Sequence, residues 1–129
     1  MMIIKQQIDI EDEIRQALTN DLDVFVRPLP EKFKTPCILI TKAGGTTENE
    51  VDTFTVRIDA RGKTDAEADE YLRLALGVLE YRAKQQTGAL RGITINALSS
   101  WGNDPARPDI KLCTATVLVT AHSKTKTII

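Results

Sequence analysis

The stretch ThrLysAlaGlyGlyThrThr at residues 41–47 gathers a lysine, two glycines and three threonines into one short run. An ammonium, backbone amides free of side-chain crowding and hydroxyl groups are what a phosphate cradle is built from. A nucleotide-hydrolase loop, however, runs strand, GxxxxGK[ST], then a helix whose first amides point at the phosphates. Here Lys42 precedes Gly44 and Gly45, and a strand-like segment follows. The dinucleotide pattern GxGxxG fails likewise, in glycine spacing and in the missing helix. The better reading is a hairpin whose glycines supply backbone angles that side chains forbid.

The other chemically able residues are scattered. The only histidine, His122, lies beside a polar terminal stretch, with no nucleophile and orienting group to make a triad. Cys37 and Cys113 are separated by about half the chain and, with one histidine, give no zinc spacing. Both sit in apolar runs, where a free cysteine is a small buried hydrophobe, so reduced thiols in an intracellular setting are the expectation. A disulfide would need their strands adjacent with suitable Cβ geometry. Asp65, Glu67, Asp69 and Glu70 could gather a hard cation, but carboxylates in the first turns of a helix are explained by its dipole. No pair of carboxylates is singled out for acid–base work. Arg57, Arg61, Lys63, Arg73 and Arg82 could form a basic patch, yet no aromatic residues interleave with them as single-strand binding requires. Trp101, the one tryptophan, either pins its own loop or anchors a neighbouring subunit. No catalytic residue, metal ligand or cofactor site emerges.

The elements that position these residues read from their periodicities. Ile10, Ile14, Ala17 and Leu18 make a short amphipathic helix with Asp9 as N-cap and AsnAsp at 20–21 as a stop. Residues 22–27 form a short strand that Pro28 and Pro30 end, and residues 37–42 a second, continuously apolar one. At 53–61 the pattern alternates: Phe54, Val56, Ile58 and Ala60 face one way, and Thr53, Thr55, Arg57, Asp59 and Arg61 the other. Thr64 and Glu67 fit a capping box for a long helix through Gln86, with Gly88 as its left-handed closing residue. Ala68, Leu72, Ala75, Leu76 and Leu79 form its apolar stripe; Tyr71, Leu74, Val78 and Tyr81 widen it, so other elements or another subunit contact the helix from a second side. Strands follow at 93–98 and 110–121, and polar loops span 43–50 and 99–109.

The order predicts an α+β fold: a mainly antiparallel sheet of about five strands packed on one long helix, with a short N-terminal helix. One domain covers residues 1–129, with 122–129 a tail that is mobile unless a partner orders it. The apolar fraction of 42% and charged fraction of 27% are those of a soluble globular chain. A formal charge of −1 lacks the positive field of a nucleic-acid binder. The start, MMIIKQQIDIEDE, has no secretory pattern, and no stretch is long enough to span a membrane.

Taken together, the early helix, the strand entering LeuProGluLysPhe, ThrProCysIleLeuIle leading to AlaGlyGly, the strand ending IleAspAlaArgGlyLysThr, the AspAlaGluAla helix start and the AspProAlaArgProAsp loop resemble the tail-terminator and tail-completion proteins of long-tailed bacteriophages and prophages. The likeness runs from about residue 8 to 121. It implies a non-enzymatic virion protein of the tail or neck, assembled in the bacterial host cytoplasm, that caps the tail tube and joins it to the head connector. The form implied is a self-associated ring, a homohexamer, through which DNA passes without specific binding. The polar face of the 51–61 strand and the outer side of the 64–87 helix are the flanks expected to join copies, with Gly44, Gly45, Glu48, Glu50, Arg57, Arg61, Trp101, Asp104 and Arg107 as interface residues. Glu48, Glu50 and Asp52 are expected at an acidic loop that would not grip a passing phosphate backbone. A head-proximal neck adaptor or a small ligand-binding domain are the alternatives.

Overall fold

A computed structural model describes residues 1–48, 51–86 and 88–129, with backbone alone at 47–48 and 96–100. The chain runs β1 (Met2–Gln6), α1 (Ile10–Leu18), β2 (Val24–Val26), β3 (Cys37–Glu48), β4 (Val51–Gly62), α2 (Asp65–Gln85), β5 (Leu90–Asn103), β6 (Lys111–His122) and β7 (Lys124–Ile128). Strands 2 to 6 form one sheet in the order β2-β3-β4-β6-β5, and β1 and β7 form a separate ribbon. All pairings are antiparallel except β2 with β3. The α+β expectation is met, with seven strands in two sheets in place of about five in one.

The core lies between one face of the large sheet and the two helices. Phe54, Val56, Ile58 and Ala60 of β4 and Cys113, Ala115, Val117, Val119 and Ala121 of β6 bury the alternate positions that the period of two assigned to them. Against them pack Ala68, Leu72, Ala75, Leu76 and Leu79 of α2 and Ile10, Ile14 and Leu18 of α1. Both helix starts are capped from the sequence pattern. Asp9 accepts from the Asp12 N–H (3.2 Å), and Thr64 Oγ1 accepts from the Glu67 N–H (3.1 Å) while Glu67 reaches back to the Lys63 N–H (3.0 Å).

Four local expectations are corrected. The segment at 43–48 is not a polar loop but the outer half of β3, which pairs through Glu48↔Val51. Gly44 and Gly45 therefore sit inside the strand, beside a bulge between Lys42 and Gly44, and no glycine has a positive φ. Gly45 is needed for close approach instead: a Cβ there would lie 2.9 Å from the Thr53 carbonyl oxygen. The 99–109 loop is shorter than expected, because β5 continues to Asn103 through irregular pairings that break its alternation. α2 closes at Gln86, with φ 53°, before Gly88 is reached, since Ala83 is the last side chain the core takes. The tail beyond His122 is strand β7, its backbone satisfied by β1 from Met2↔Ile128 to Gln6↔Lys124. Among the described residues no helix is long and apolar enough to cross a membrane.

Candidate interaction surface

The face of the sheet turned away from the helices carries the polar files of β4 and β6. Thr53, Thr55 and Arg57 stand beside Thr114, Thr116, Leu118 and Thr120, all partly or fully exposed. Among the described residues no helix lies over them. Within this surface Asp59 is buried, accepting from Thr114 Oγ1 at 2.8 Å and from Arg57 Nε at 3.2 Å. The Arg57 side chain is 53% exposed, so this ion pair orients the guanidinium more than it stabilises the fold. Thr41 Oγ1, across from Arg57 in the pairing, is buried with no partner among the described residues.

At one end of the same face two loops fold over the sheet and bury an ion pair. Arg61 is 7% exposed and Asp104 4%. Arg61 Nε donates to Asp104 Oδ2 at 2.7 Å, while Asp104 Oδ1 accepts from the N–H groups of Ala106 (2.8 Å) and Arg107 (3.1 Å). An aspartate placed before ProAlaArg is well suited to this, because its side chain closes the turn that the proline begins. The loop is also tied to itself by Asp104 N–H to Ile110 O (2.9 Å), and Arg107 lies over the Phe33 ring at 5.3 Å. Burial pushes the Asp104 carboxyl up, but the Arg61 guanidinium and the two amides outweigh it and hold it below its ordinary 3.8. Arg61 Nη1 remains buried without a partner among the described residues. Beside the pair lies a cleft of about 740 Å³ whose walls include Leu29, Lys32, Phe33 and Pro105.

The sequence-predicted residues thus divide. Arg61, Asp104 and Arg107 come together, but as an interior clamp, so the first two are not surface charges. Arg57 lies on the open face, and Trp101, 52% exposed, stands at the end of edge strand β5. It neither pins a loop fully nor lies near Arg57's file, since its partner Cys113 belongs to the helix side of the sheet. Gly44 and Gly45 lie in β3; Glu48 ends that strand, and Glu50 lies outside the described residues. Asp52 is fully buried and accepts from Ser123 Oγ at 3.0 Å, so it is not part of an acidic loop.

Among the described residues the five expected basic side chains form no single patch, because Arg61 is interior, Arg57 is on the open sheet face, Lys63 is exposed near Phe33 and Arg107, and Arg73 and Arg82 are on α2. His122 is an exposed strand end. Cys37 and Cys113 are buried thiols outside any disulfide; they flank β4 from β3 and β6 opposite Arg61 and Ala60, and so project to opposite faces. Burial pushes the Cys37 thiol up to about 11, which removes its nucleophilic form at neutral pH.

The outer side of α2 was only half legible. Tyr71 turns back to its own chain, its hydroxyl oxygen accepting from the Asp23 N–H at 2.7 Å, and Val78 packs on the core. Leu74 and Tyr81 stay outside, 49% and 59% exposed, with Gly77 between them and Glu70, Arg73 and Arg82 around them. Sequence reasoning missed Gly77. The available signal was its position in the middle of a long helix, where glycine is costly. Compared with known proteins, the chain matches no family model, and no curated protein matches it.

Proposed function

We propose that this chain is a non-enzymatic structural subunit that closes into a ring, of the kind that caps a phage tail tube and joins it to the head connector. A closed ring needs heterologous contacts, hence two unlike complementary surfaces on each copy. The observation that carries the reading is the one-sided cover of the sheet. Helices occupy one face, and the other presents Thr53, Thr55, Arg57, Thr114, Thr116 and Thr120 uncovered. On the opposite flank of the molecule α2 exposes Leu74 and Tyr81. Sheet face and helix face thus supply the two unlike surfaces on one domain that this reading requires. A homohexamer in the virion, self-associated in the host cytoplasm and near-neutral toward passing DNA, is the assembled form we assign.

Native mass measurement and negative-stain imaging at high concentration, with and without purified tail tubes, test this. Rings seated on tube ends are the expected result. Attachment to portal complexes instead makes the chain a head-proximal adaptor. A second reading, a small ligand-binding domain, is favoured by one observation: the cleft of about 740 Å³ beside Arg61 Nη1, which has no partner among the described residues. That reading predicts a chain monomeric at every concentration and stabilised against heat by a small carboxylate.

A further inference from the structure

Gly77 stands at the centre of the outer side of α2. Successive helix residues turn by about 100° and rise about 1.5 Å, which places Gly77 diametrically opposite the core-facing Ala68, Leu72, Ala75 and Leu79. Glycine there weakens the helix relative to alanine. Its own chain gives no packing reason for it, because a Cβ at Gly77 would meet nothing within 4 Å. What a missing side chain does allow is close approach by a second backbone from outside.

We infer that the free chain pairs with a second copy of itself through this face, as an antiparallel two-fold contact with Gly77 on the dyad. The charges choose both occupant and direction. Along the helix the outer positions are Glu70, Arg73, Leu74, Gly77, Glu80, Tyr81 and Lys84. Antiparallel pairing about Gly77 sets Glu70 against the partner's Lys84 and Arg73 beside the partner's Glu80. Leu74 falls beside the partner's Tyr81 on the other side of the dyad. Every contact occurs twice. A parallel two-fold pair would set Glu70 on Glu70 and Arg73 on Arg73, like against like.

The partners are available. Glu70, Glu80 and Lys84 form no ion pair among the described residues, and Arg73 pairs only with Asp69 on its own helix, with its side chain 68% exposed. From Glu70 to Lys84 the contact runs about 21 Å along each helix, with axes at the short end of the usual 8–10 Å because glycine faces glycine.

The inference concerns the free chain and does not rest on the ring. The outer side of α2 is also one of the two ring flanks, so pair and ring compete for that face. Light scattering over a dilution series of the free chain is the test. The expected result is a doubled mass at high concentration, lost in Gly77→Leu and in Arg73→Glu, and restored when Arg73→Glu is combined with Glu80→Arg. Helix content by circular dichroism separates a broken contact from a broken fold. A chain that stays monomeric throughout the series, or a dimer that survives Gly77→Leu, overturns the pair. Neither outcome bears on rings at tube ends, which imaging decides separately.

Discussion

The two faces of the large sheet are made by the same strands and yet depend on different physics. On the helix side each residue is fixed by apolar packing from several elements at once. On the open side Asp59, Arg57 and Thr114 hold each other through hydrogen bonds, and the threonine files have no layer above them. Only where the 27–36 and 104–110 loops fold down does the open side become interior, and there a charge pair does the work of a core. The fold is therefore complete on one face and finished at one end of the other. The rest is surface available for contact at little cost to folding.

The largest expected effect tests the capped end. Asp104→Asn leaves a buried guanidinium against an amide donor, and should lower unfolding free energy by about 3–5 kcal/mol in chemical denaturation. The same contact carries an acid dependence. Asp104 is held below its ordinary 3.8 in the folded chain, so its contribution is complete above that value and is lost as pH falls through the lower folded one. Melting temperature followed from neutral to acid pH should decline less steeply in Asp104→Asn than in the parent.

Adjacent residues on opposite faces sharpen the comparison next. Phe54→Ala, on the helix side, is expected to cost about 3–5 kcal/mol, whereas Thr55→Ala is expected to stay within about 0.5 kcal/mol. Equal losses at both positions would mean that the open face is covered in the free chain. In the dilute, unpaired chain Gly77→Ala should raise stability by about 0.5–1 kcal/mol, because nothing of its own chain surrounds the new methyl group and helix propensity alone changes. The smallest effect is chemical. Cys37 should resist alkylation in the native chain at neutral pH and react once denaturant opens it, a difference that mass spectrometry reads directly.

What the sequence could convey followed from which residues face a helix. The alternation at 53–61 was legible because α2 covers one side of β4 completely, and Asp9 and Thr64 were legible because capping is local. β1 and β7 carry no such pattern: they form a sheet only with each other, and nearly every side chain on them is exposed. The outer half of β3 is glycine, threonine and glutamate, which reads as loop, although β4 pairs with it to the last residue. Arg61 lies in a polar file and so reads as solvated. What buries it is a loop 43 residues away, and periodicity has no access to a contact made over that distance. The outer side of α2 misled by mixture, since Tyr71 and Val78 turn inward while Leu74 and Tyr81, three residues further along in each case, do not.

The ribbon of β1 and β7 bears on how the molecule would carry a load. Residues 2 and 128 lie side by side at its far end, and 6 and 124 at the end nearer the domain. Tension applied to the two ends of the described chain would act on the rungs in sequence, like a zipper, and a two-stranded ribbon is weak by itself. It would open rung by rung before any strain reached Phe54 or Leu79. Pulled apart at both ends, the chain would therefore give up this ribbon first, and the surfaces the domain offers to neighbours would stay intact.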